Sequence, residues 1–119
     1  MQILDQSLLE SLCGEATASP RRRANRNLHQ SYDEPVQRLL IAMQPDSYVR
    51  PHYHPESHKW EFFLTLQGQL SFFVFDHSAT LIQRLELSGD GDTRGIELPA
   101  NTWHCTLAEQ ADTLSLIHI

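Results

Sequence analysis

The residues of this chain best suited to metal chemistry are two histidines separated by a single tyrosine, His52 and His54 in Pro51-His52-Tyr53-His54. In an extended segment alternate side chains share a face, so both imidazoles project the same way and can chelate one ion. A carboxylate follows at Glu61, at the start of a β-rich run, and a further imidazole at His104, just before another. Taken singly, His-x-His reads as a surface pair, Glu61 as an edge-strand charge and His104 as a rim histidine; their joint spacing makes them a candidate ligand set. Three neutral imidazoles and a carboxylate suit Zn²⁺, Fe²⁺, Mn²⁺ or Ni²⁺ without selecting among them. Such a set leaves one or two positions free for water or substrate, as Lewis-acid polarisation or a metal-bound hydroxide requires. His58 lies in the six-residue gap between His54 and Glu61 and competes with Glu61 as a ligand.

These residues must be positioned by one core, since 119 residues at 13.7 kDa, 40% hydrophobic, make a single domain of common size. Ile3, Leu4, Leu8, Leu9 and Leu12 recur at helical spacing and predict a short amphipathic helix over residues 3–14, stopped by Gly14. Residues 15–27, with Pro20, Arg21-Arg22-Arg23 and Arg26, read as a solvated loop or as an anion- or partner-binding segment. From Val36 onward the period shortens. Leu39–Met43, Trp60–Leu66, Leu70–Phe75, Thr80–Leu87, Arg94–Leu98, His104–Ala108 and Leu114–Ile119 are strand candidates, so seven or eight short strands predict an all-β sandwich or barrel. Gln67-Gly68-Gln69 reads as a tight hairpin and Ser88–Asp92 as a looser turn. The second turn is not a Ca²⁺ loop, because Asn101 stands where the twelfth-position Glu would be.

A formal charge of −6 opposes attraction to phosphate backbones and anionic membranes, which argues against nucleic acid and membrane as partners. No apolar run reaches about 18 residues, and Met1–Leu12 contains no Lys or Arg, so a cytoplasmic location is expected. Cys13 and Cys105 are too few for a disulfide framework and are read as reduced thiols, Cys105 facing away from whatever His104 faces. Exposed edge strands in so short a chain predict a homodimer.

The spacing of the candidate ligands resembles that of the cupin superfamily, whose first motif runs His-x-His, a gap, Glu, six residues, Gly, and whose second runs Pro-x-Gly-x-x-His. Here these are His52-Tyr53-His54, Glu61 and Gly68, then Pro99-Ala100-Asn101-Thr102-Trp103-His104. The gap before Glu61 is longer than the usual three or four residues; Asn101 replaces Gly, tolerable because Asn is next best at positive φ; and Ala108 replaces an Asn that often follows the last histidine. Across residues 20–108 the chain is similar in particular to the WbuC-type cupin-fold metalloproteins. Pro20-Arg21-Arg22-Arg23, Asn27-Leu28-His29, Asp33–Arg38, Tyr48–His54, Lys59-Trp60-Glu61, Phe75-Asp76 and Gly95–Pro99 carry that likeness. The resemblance implies a double-stranded β-helix, or jelly-roll barrel, over residues 20–119, with residues 1–19 as helix and linker, and one divalent metal in the barrel on His52, His54, Glu61 and His104.

Within such a barrel Tyr53 or His29 is a candidate base beside a polarised carbonyl, and Arg38 a candidate clamp for a carboxylate or phosphate. The expected function is a metal-dependent enzyme acting on a polar small molecule, sugar-derived and related to surface polysaccharide or carboxylate-bearing. The alternative is a non-catalytic module that senses or stores metal and a small-molecule ligand.

Overall fold

The computed structural model describes residues 1–119. Helix α1 spans Gln6–Ala18 and is followed by β1 Arg23–Asn27, β2 Arg38–Met43, β3 Glu61–Gln67, β4 Gln69–Phe75, β5 Leu81–Ser88, β6 Gly95–Leu98, β7 Trp103–Ala108 and β8 Thr113–His118. The Asp5 carboxylate accepts from the Leu8 N–H at 2.9 Å, which sets the helix start. The helix does not stop at Gly14. Glycine in a helix interior costs only about 1 kcal/mol against alanine, and Leu12, Cys13 and Ala16 on either side of it are buried against the sheet. The helix ends at Ser19, just before Pro20.

The strands form a five-stranded sheet in the order β1-β2-β8-β3-β6 and a three-stranded sheet in the order β5-β4-β7, all pairs antiparallel. Their facing sides enclose one core of Met43, Phe63, Leu70, Phe72, Val74, Leu87, Leu98, Ala108 and Ile117. The outer side of the larger sheet, through Leu40, Ala42 and Leu114, is covered by Leu12, Cys13 and Ala16 of α1. Alternation along β2 and β8 sends odd residues inward and even residues toward the helix.

Two local expectations are corrected. Residues 23–27 are not a loop: β1 pairs with β2 in the register Ala24↔Ala42, Asn27↔Leu39. An edge strand borrows its ladder from its neighbour and needs no apolar alternation, so Arg-Ala-Asn-Arg-Asn gives no periodic signal. Gly68 does not close a hairpin either, because β3 and β4 lie in different sheets. It turns the chain through a corner at φ +76°, where an added Cβ would lie 2.8 Å from Thr113 Cα, so only glycine fits. The hairpin is the next connection, Asp76–Thr80, with the Asp76 N–H bonded to Thr80 O at 2.9 Å.

Phe72 is fully buried at the centre of the core, edge-on to Phe63 with centroids 5.1 Å apart. Phe72→Ala is expected to destabilise the fold by about 3–5 kcal/mol, read as a lower chemical-denaturation midpoint. It also removes the ring stacked under His104 and is therefore expected to loosen the site described next.

Candidate metal centre

His52, His54, Glu61 and His104 come together at one end of the barrel. Glu61 is the first residue of β3, faces inward opposite Leu98 and is 4% exposed. His104, on β7, is 2% exposed and lies parallel to Phe72, ring centroids 5.4 Å apart at 7°. The loop carrying His52 is fastened to β7 by a two-bond backbone bridge, His52 N–H to His104 O at 3.0 Å and His104 N–H to His52 O at 2.9 Å. His54 is tied through its carbonyl, which accepts from the Asn101 N–H at 2.7 Å. Asn101 sits at φ 64°, the conformation expected of the residue replacing glycine in the second motif. Thr102 closes that turn by donating its hydroxyl to Pro99 O at 2.8 Å.

The His54 Nε2 lies 2.9 Å and the His104 Nε2 3.2 Å from the same Glu61 oxygen, Oε1. Ligand atoms of His52, His54 and Glu61 all lie within 4.8 Å of one another, and the His52 and His104 ring centroids are 4.5 Å apart. Backbone carbonyls orient two of the rings. The His104 Nδ1–H donates to Thr102 O at 2.8 Å and the His52 Nδ1–H to Arg50 O at 2.9 Å. A carbonyl only accepts, so each ring carries its proton on Nδ1 and, when neutral, turns the Nε2 lone pair toward the common centre.

This arrangement fits a cation. The His104 Nε2 is buried, and its approach to Glu61 does not satisfy it as a hydrogen bond. A neutral His104 thus presents a lone pair to a carboxylate oxygen, a repulsive contact that a proton or a metal ion between them resolves. The electrostatic surroundings act in the same sense. Burial acts most strongly on His104 and opposes its charged form, but the Glu61 carboxylate and the Thr102 carbonyl together outweigh it, leaving the ring above the ordinary imidazole range. His52 is pushed below that range, chiefly by burial.

His58 is not part of this group. The long gap before Glu61 is taken up by a turn in which the Lys59 N–H bonds Glu56 O at 2.9 Å, leaving His58 exposed on the wall of a separate cavity. Tyr53 points away from its two neighbours and packs on Trp103, centroids 4.4 Å apart. His29 is buried, its Nδ1 held by the backbone of Arg38, whose own side chain is exposed at the start of β2. Cys105 lies on the outer face of β7, opposite Phe73, and burial raises its thiol pKa. The positioning groups that sequence reading did not find, the Arg50 and Thr102 carbonyls, are backbone atoms; their only signal is that each lies two residues before a histidine.

The profile of DUF6016, a domain of unknown function, matches residues 4–87, which include His52, His54 and Glu61 but not His104. No curated protein matches the sequence. Among solved structures, KdgF from Halomonas sp. is 15% identical with a TM-score of 0.64, over 84% of this chain and 78% of that one. A cupin superfamily protein from Desulfitobacterium hafniense is 20% identical with a TM-score of 0.62, over 82% of this chain and 76% of that one. An oxalate oxidase in complex with the substrate analogue glycolate is 15% identical with a TM-score of 0.65, over 86% of this chain and 52% of that one. At these identities the likeness is one of fold, and with two facing antiparallel sheets and one short helix the fold is the cupin double-stranded β-helix. The family match over most of the chain and the barrel built from its strands make this protein a member of the DUF6016 family with a cupin fold.

Proposed function

We propose that the chain is a metal-dependent enzyme of WbuC type, with His52, His54, Glu61 and His104 as the complete ligand set and a polar small molecule as substrate. The observation that carries this reading is the convergence of imidazole nitrogens on one buried carboxylate oxygen, with His104 Nε2 otherwise unpaired. A bound divalent ion would supply Lewis-acid polarisation of a substrate carbonyl or carboxylate. The protein's own part is to hold the donors: the Thr102 and Arg50 carbonyls fix two imidazoles, and Phe72 stacks against the His104 ring. Tyr53, which shares its loop with two of the ligands, is the acid–base candidate and would serve by turning off Trp103; His29, on the wall of a separate cavity, and the exposed Arg38 are proposed to meet only a substrate that extends beyond the ligand group. A sugar-derived or carboxylate-bearing substrate and a cytoplasmic location belong to the same proposal.

Elemental analysis of the purified chain, followed by turnover assays on sugar and carboxylate panels, tests it. Stoichiometric metal with turnover supports the enzyme, stoichiometric metal without turnover supports a sensing or storage module, and absence of metal after reconstitution rejects both. Pairing of copies is part of the proposal, since edge strand β5 exposes Leu81 and Ile82 at 50% and 61%. Sedimentation equilibrium is expected to give twice the 13.7 kDa chain mass, and a monomer would overturn the dimer.

A further inference from the structure

A cavity of about 730 Å³ contains none of His52, His54, Glu61 or His104. It opens at the same end of the barrel, where β1, β2 and β8 meet the loop that precedes β3. Its size lies within the usual range for small-molecule sites. Two imidazoles on its wall have a buried nitrogen without a partner. His29 is 7% exposed, with Nδ1 engaged by the Arg38 backbone and Nε2 unpaired. His118 stacks on the Trp60 indole, centroids 4.4 Å apart at 22°, with Nδ1 unpaired. Buried polar atoms in folded proteins are rarely left without partners; these two belong to residues of one cavity wall but are shut off from solvent, so a ligand completes their hydrogen bonding once the side chains covering them move.

The remaining lining narrows the ligand's chemistry. No arginine lines the cavity. Its lysine, Lys59, pairs with Glu56 at 3.4 Å, and its carboxylate, Glu34, accepts from the Gln30 N–H at 2.9 Å. Each charge already has a partner, which weakens its pull on an anion or a cation. What is offered is a flat aromatic pair, Trp60 with His118, together with imidazoles and the Asn27 carboxamide, groups that both donate and accept.

We propose that this cavity is a second binding site, separate from the metal centre, for a neutral ring compound bearing both hydrogen-bond donors and acceptors. Sugar rings and heterocyclic bases share that chemistry.

Titration calorimetry on the full chain, stripped of metal, tests the proposal with three arms: neutral monosaccharides, free nucleobases and nucleosides, and the anions phosphate and citrate. Saturable binding is expected from the first or the second arm, and which one responds identifies the source. His29→Ala and Trp60→Leu are each expected to weaken that binding by roughly tenfold, the effect of losing one buried hydrogen bond or one stacking surface. A His52→Ala, His54→Ala double variant is expected to retain it. Where His29→Ala does not fold, His118→Asn on the same wall replaces it, and saturable quenching of Trp60 fluorescence in Trp103→Phe gives a second readout. Absence of saturation by any neutral ring at millimolar concentration would overturn the proposal, as would tighter binding of the anions, unchanged affinity in the cavity variants, or loss of binding in the metal-centre variant. Because the measurement uses metal-free protein, its outcome is independent of whether the metal reading holds.

Discussion

His104→Ala is expected to lower metal affinity by about 100-fold or more, since loss of an outer partner of a ligand alone costs 10- to 100-fold and His104 is proposed to bind directly. The expected consequence is metal-free protein after dialysis, with secondary structure preserved because an alanine is tolerated at a strand start beside the core. The His52→Ala, His104→Ala double variant removes the two rings whose tautomers are set by backbone carbonyls, and is expected to hold no stoichiometric metal. Stoichiometric metal retained in that variant, measured by elemental analysis, would end the assignment. Cys105→Ser is the control. Its side chain lies on the opposite face of β7 from His104, so metal content is expected to stay at the unsubstituted level.

Lowering the pH from 7.5 to 5 is expected to release the metal with a steepening dependence, approaching the third power of proton concentration once all three imidazoles take up protons. A free imidazole titrates near pH ~6.5, and each must be neutral to bind. The order is set by the structure. In the metal-free chain the Glu61 carboxylate holds His104 above its ordinary range, so protons compete there first as pH falls; His52, lowered by burial, charges later. Linkage then gives two opposite signs. Without metal, the raised pKa of His104 contributes stability that is full below the unfolded value and is lost as pH rises through the folded one. His52, depressed, acts in reverse, contributing stability that is lost as pH falls through its folded value. With metal, the bound form needs His104 neutral, so stabilisation by the ion grows with pH. Thermal melts with and without metal at pH 5 and 7.5 are expected to differ little at the lower pH and widely at the higher. A metal-induced shift independent of pH would mean that histidines are not the principal ligands.

The residues that the fold gathers into the candidate metal centre could be picked out beforehand because their chemistry depends on side-chain type and short-range spacing. Alternation places His52 and His54 on one face whatever the rest of the chain does, and Asn101 is readable as a residue that tolerates positive φ. Strands β2 to β8 were legible because each has at least one apolar face to bury, which leaves a mark at period two. Edge strand β1 left none, since its ladder comes from β2 and its side chains meet solvent.

By itself, the sequence determined the class of the fold, the types of the candidate ligands and the outward orientation of Cys105, all of which follow from local periodicity and donor chemistry. The tertiary structure decided that Glu61, and not His58, lies beside the three histidines. Glu61 is the one aimed inward because β3 begins there, opposite Leu98, while a turn at Glu56–Lys59 carries His58 to the far cavity. It also decided that Gly68 turns a corner between sheets instead of closing a hairpin, because Thr113 on β8 occupies the space a side chain would need. His118 meets Trp60 only because β8 pairs with β3, which brings the two rings together. Strand pairing between residues more than fifty positions apart is a long-range property of packing, and no local pattern encodes it.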